Sequence, residues 1–236
     1  TLVGNRAGSD GGGIFNIGTI TVTESTFDSN KADHGGGIDN QGTGTVTLTN
    51  VTLRGNRAGS DGGGVINKGS VPTATLTNVT LSGNTAFSYG GGIRNDGPMI
   101  LTNVTISDNR GTFGAIINTG NATLKNTIVA NNNNRNCYAK IGGSFNLSND
   151  NSCGFGAGRD NINVMLSPLG NYGGPTLTYI PLPGSPAIDF GTSAGCPSTD
   201  QRGKPRPIGL SCDVGAVERQ VVDYPYFYIN LPLIVR

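Results

Sequence analysis

Gly11-Gly12-Gly13-Ile14-Phe15-Asn16 is a phrase the chain repeats at 35–40, 62–67 and 90–95, with a degraded fifth copy at 113–118. Its closing asparagines, Asn16, Asn40, Asn67, Asn95 and Asn118, are 24, 27, 28 and 23 residues apart. Self-similarity at that period marks a solenoid, a propeller or another array. A second phrase interleaves with the first. Its clearest copy is Thr47-Leu48-Thr49-Asn50-Val51-Thr52-Leu53-Arg54-Gly55-Asn56, with counterparts closing on Asn30, Asn84 and Asn109 and a looser one closing on Asn132. The chain opens inside this phrase, and residues 5–13 recur letter for letter at 56–64.

The composition of the unit selects among array types. Thr, Val, Leu and Ile alternate in short runs, which is strand chemistry, and Gly, Asn, Asp and Ser punctuate them as turns. No window carries apolar residues at helical spacing. A propeller blade needs four strands and about 40 residues. The expected fold is therefore all-β: a single right-handed parallel β-helix with coils of about 25 residues. Regular coils are expected over 1–132, less regular ones over 133–220, and an apolar C-terminal strand or tail over 221–236.

In such a stack equivalent residues sit one strand spacing apart. Leu48, Leu76, Leu101 and Leu124 are expected to form one internal ladder. Phe27, Leu53, Leu81 and Ile106 form a second, and Ile14, Ile38, Val65, Ile93 and Ile116 a third. The asparagines 16, 40, 67, 95 and 118 and the set Asn30, Asn56, Asn84 and Asn109 are expected to form two stacked amide ladders. Their role is read as structural rather than ligand-binding.

The phrase Gly-Gly-Gly-Ile-x-Asn preceded by Phe/Leu-x-x-Asn resembles the repeats of chlamydial polymorphic outer-membrane proteins, over about 1–132. The second half resembles the choice-of-anchor Q domain of bacterial surface β-helix proteins. The residues that carry this likeness are 171–178 (NYGGPTLT), 183–189 (PGSPAID), 200–203 (DQRG) with Pro205, Arg206 and Pro207, and 212–218 (CDVGAVE). The resemblance implies an exported, extracellular or cell-surface β-helix without assigned activity, followed by a variable anchor.

Composition fits that expectation. Charged residues make up 13 % of the chain, net charge is +1, and there are 39 glycines and no Trp. The linear sequence displays no basic stripe to neutralise phosphates, so nucleic acid is not an expected partner. The four cysteines, Cys137, Cys153, Cys196 and Cys212, lack metal-ligand spacing, and His34 is the lone histidine. No metal or cofactor is expected. An even count suggests two disulfides. Of the three connectivities, the local one, 137–153 and 196–212, is preferred. Sequons stand at Asn50, Asn78, Asn103, Asn121 and Asn146 as candidate glycosylation sites. Neither a signal peptide nor a transmembrane span is visible.

Three functional classes compete. Many β-helices cleave polysaccharides, which needs paired carboxylates. Neither the column Phe15, Asp39, Ile66, Arg94, Ile117 nor the column Glu24, Asn50, Asn78, Asn103, Asn126 stacks two acids on adjacent coils. Asp189, Asp200, Asp213 and Glu218 cluster in turn-rich phrases that read as structural closure. The outward threonines of Thr21-Val22-Thr23, Thr47-Leu48-Thr49 and Thr75-Leu76-Thr77 raise ice binding, but Thr is an ordinary exposed strand residue. The favoured expectation is a non-catalytic extracellular structural protein. It would assemble head to tail into a fibre through its last strand, where Phe227, Ile229, Leu231, Leu233 and Val235 alternate. A monomeric adhesin or a binder of surface glycans is the alternative.

Overall fold

A computed structural model describes residues 1–223. It is an all-β parallel β-solenoid of about five turns with coils of about 25 residues. Among the described residues the sole helical element is a 3-10 turn, Val221–Asp223.

Each coil contributes to three sheets. The glycine sheet holds the strands after each glycine phrase: Ile14–Asn16, Ile38–Gln41, Val65–Lys68, Ile93–Asn95 and Ile116–Asn118. The long sheet centres on Thr45–Arg54, Thr73–Ser82 and Pro98–Ser107. The short sheet comprises Lys31–His34, Arg57–Asp61, Thr85–Ala86 and Arg110–Gly111. Every pairing between named strands is parallel, for example Leu48 with Leu76 and Leu76 with Leu101, and the register shifts between Ala32 and His34 in the short sheet. The three expected apolar ladders lie in this register, and from the third coil onward they are fully enclosed.

The phrase forms these coils for steric reasons. Gly11, Gly35, Gly62 and Gly90 turn the chain at φ of 59–66°, a region that side chains with a Cβ resist. A Cβ on Gly12, Gly36 or Gly63 would meet the carbonyl of the glycine one coil on at 2.3–2.6 Å. Both amide ladders are present. From Asn16 to Asn118 each Nδ2 donates to the next Oδ1 at 2.7–2.9 Å. The other ladder is longer than expected: it runs from Asn5 through Asn30, Asn56, Asn84 and Asn109 to Asn132 at 2.8–3.1 Å. Its amides also donate to main-chain carbonyls, as Asn56 does to Phe27 O at 3.0 Å. These buried polar groups therefore keep their partners, which is what makes them stabilising.

A third asparagine column escaped the sequence reading as structure. Asn50, Asn78, Asn103 and Asn126 adopt φ of 47–57° and bend the long strands at mid-length. Asparagine tolerates this left-handed corner better than most residues.

The second half departs from expectation. Residues 142–148 add one partial coil, through the strands Gly142–Ser144 and Leu147–Ser148. Among the described residues beyond Ser148 there are no further coils and no strands, only isolated antiparallel bridges such as Leu166 with Pro181 and Thr199 with Pro205. Instead of stacking, this segment runs back along the outside of the long sheet, past the bend. Thr52 Oγ1 donates to Leu177 O at 2.6 Å, Thr80 Oγ1 to Gln201 Oε1 at 2.7 Å, and Ala216 N to Thr105 Oγ1 at 3.0 Å. Thr52, Thr80 and Thr105, which share one repeat position after the bend, thus supply a polar seam for a covering flank. A small second core, with Ile128, Leu147, Val164, Ala187 and Val214, seals the join.

Candidate functional site

The flank contains the densest group of ionisable side chains. Asp200 and Arg202 form a fully enclosed pair at 2.9 Å, and Arg202 also meets Asp223 at 3.0 Å. Arg206 Nε lies 3.5 Å from Glu218. Asp189, Asp213 and Glu218 border a small cavity of about 140 Å³. Burial, then the charge of Glu218, pushes Asp213 up to about 7. Burial likewise raises Glu218 and lowers Arg206.

An acid held near neutrality beside a cavity is a catalytic candidate. Its hydrogen bonds assign it another role. Asp213 accepts from Asp189 N at 2.8 Å and from Arg219 N at 2.7 Å. Glu218 accepts from Ile208 N and Asp213 N, both at 2.9 Å. Asp200 accepts from Arg202 N, Lys204 N and Glu218 N. Each of these carboxylate oxygens is occupied by a main-chain donor, so the acids tie the turns of the flank together.

A second group lines the ridge that precedes each glycine phrase. His34 and Arg94 flank Asp61 at 3.6 and 3.4 Å, and Arg94 lies 5.1 Å over the Tyr89 ring. Tyr89 stacks on Phe113 at 4.8 Å. Asp39, beside them in the glycine sheet, is 0 % exposed. Burial, with the Asp10 charge adding to it, raises Asp39 to about 6, while a hydrogen bond from Ser9 holds Asp10 low. This pairing spans two different columns, which column-by-column inspection misses. Asp39 is sealed from solvent, so no substrate reaches it.

The third group corrects the sequence reading. The residue after each ladder asparagine, namely Arg6, Lys31, Arg57, Thr85 and Arg110, is in register on five successive coils of the short sheet. The next residue points inward as Ala32, Ala58 or Ala86. Arg6, Lys31, Arg57 and Arg110 are exposed and have no side-chain partner among the described residues. The linear sequence shows no basic stripe because these cations are about 25 residues apart; the coil period assembles one.

The remaining candidates fall as follows. The disulfides are Cys137–Cys153 and Cys196–Cys212. The first closes the last partial coil and the second staples the flank, and both point to an oxidising compartment. Among the sequons, Asn78, Asn103 and Asn146 are buried and inaccessible to a transferase in the folded state. Asn50 is half-buried and Asn121 exposed. Phe227, Ile229, Leu231, Leu233 and Val235 lie outside the described residues. Among the described residues no group of three or more His, Cys, Asp or Glu is arranged to hold a metal, and no helix is long and apolar enough to cross a membrane. No protein-family model, curated protein or solved structure matches the chain.

Proposed function

We propose that the protein is a non-catalytic structural β-solenoid of the cell surface or extracellular space. The observation that carries this reading is the use of the flank's acids: Asp213 and Glu218, which have raised pKa and border the small cavity, have both carboxylate oxygens occupied by main-chain donors. The two disulfides support an exported location, and so does the resemblance of 171–218 to the choice-of-anchor Q domain. Purified protein is expected to turn over none of pectin, alginate, xylan or host glycans. Turnover abolished by Asp213→Asn or Glu218→Gln, with the fold intact by circular dichroism, contradicts the proposal.

Assembly into a fibre through 224–236 is a second reading. The observation favouring it is that Asp223, the last described residue, is held by Arg202 and Lys204. Deleting 224–236 is expected to abolish concentration-dependent assembly. A full-length protein that stays monomeric in sedimentation at high concentration removes this reading.

A further inference from the structure

We infer that the outer face of the short sheet is a binding site for an extended acidic polysaccharide. The site begins with the cation column. Coils are spaced by about 4.8 Å, so Lys31 and Arg57 stand one step apart and Arg57 and Arg110 two steps apart, with Thr85 between them. Elsewhere on the molecule Arg54, Arg94, Arg202 and Arg206 each meet a carboxylate. The column cations meet none among the described residues.

Two open grooves adjoin the column. One, of about 460 Å³, is lined by Arg57, Thr85, Phe87, Arg110, Thr112 and Asn134. The other, of about 250 Å³, shares Arg57, Thr85 and Phe87 and adds Lys31 and Asp33. Phe87 projects between them with 75 % of its surface exposed. Leaving a ring in water is unfavourable for an isolated solenoid, and it gives a flat apolar surface for the C–H face of a sugar. Thr85 offers a hydroxyl, and Thr112 and Asn134, which donate to Phe87 O at 2.6 Å and Gly111 O at 2.9 Å, keep their side-chain oxygens as acceptors for sugar hydroxyls. The combination of a column of cations, one exposed ring and neutral polar groups suits a polyuronate or sulfated chain lying along the solenoid axis.

Charge spacing favours a polysaccharide over a nucleic acid. Four cations over five coils approximate one acidic group per sugar unit. Duplex DNA carries a charge per about 1.7 Å, and single-strand binders present rows of aromatics for successive bases. The compartment argument rests on the exported location proposed above; the charge geometry does not.

The test uses the full chain immobilised at low salt, with polygalacturonate, heparin, neutral dextran and single- and double-stranded DNA as probes. Polygalacturonate or heparin is expected to bind and dextran not to. The dependence of log K on log salt should have a slope of roughly −3, from about 0.7–0.9 per neutralised charge over four cations. Arg57→Glu with Arg110→Glu is expected to weaken binding roughly ten-fold or more. Phe87→Ala should weaken it several-fold, while Lys140→Glu, an exposed cation off this face, leaves it unchanged. Arg57→Lys with Arg110→Lys keeps the charge and should keep most of the affinity, which guards against misfolding of the reversal variant. Binding of neither acidic glycan, equal loss in Lys140→Glu, or DNA bound more tightly than both glycans overturns the inference. The last result would leave the scaffold reading standing.

Discussion

The coil stack (1–148) and the flank (149–223) are held by opposite means. In the stack, each coil presents to the next what it receives from the previous one. Leucine meets leucine, amide meets amide, and a glycine carbonyl fills the place a Cβ would need. Stability there is a sum of similar neighbour terms, as in other repeat proteins. The flank has no repeat and no strand. It holds its shape with buried ions saturated by main-chain donors and the Cys196–Cys212 disulfide, and it is joined to the stack by the Cys137–Cys153 disulfide at its start and by threonine hydroxyls and asparagine amides along its length. A stack tolerates loss at one rung; a network with few members does not.

The comparison is broken most forcefully at Glu218. Glu218→Ala removes two main-chain contacts and leaves Arg206 enclosed without its carboxylate. The expected cost is about 4 kcal/mol, typical of breaking a buried pair, read as a lowered denaturation midpoint. In the stack, Asn56→Ala strands Phe27 O and Asn30 N at a cost of about 3 kcal/mol. Asn5→Ala, at the exposed end of the same ladder, should cost about 1 kcal/mol or less.

The two regions also separate by pH. A carboxyl whose folded pKa exceeds its unfolded value holds its proton more tightly in the fold. Its contribution is complete below the unfolded value and lost as pH rises through the folded one. For Asp213 that window runs from 3.8 to about 7. Asp213→Asn is therefore expected to flatten the decline in stability across it. Asp39 in the stack has a narrower window, from 3.8 to about 6. Asp39→Asn should raise stability at pH 8 and leave pH 4 unchanged. Thermal melts at pH 4, 6 and 8 check both.

What the sequence made legible follows the same division. Repetition exposes the coils, the apolar ladders and both amide ladders, because identical residues at one period can satisfy each other only by stacking. The basic column was present in the same alignment, one position after each ladder asparagine, but charge read along the chain hides what the coil brings together. Residues 133–220 gave no such signal. Their phrases mark turns and closure, and nothing local in Gln201 or Tyr179 says that their partners are Thr52, Thr80 and Ser82, about 100–150 positions earlier. The burial of Asn78 and Asn103 is equally invisible from their sequons, since it comes from the flank lying over them.

Native-state hydrogen exchange on the intact protein tests the central claim, that a ladder-held stack carries a separately fastened flank. Amides of the flank such as Gly191, Val214 and Gly215 are expected to exchange through a sub-global opening, at lower free energy than Leu48, Leu76 and Leu101. In Glu218→Ala that gap should widen while the stack keeps its protection. One common opening energy for both regions, lowered equally by Glu218→Ala, would contradict the account.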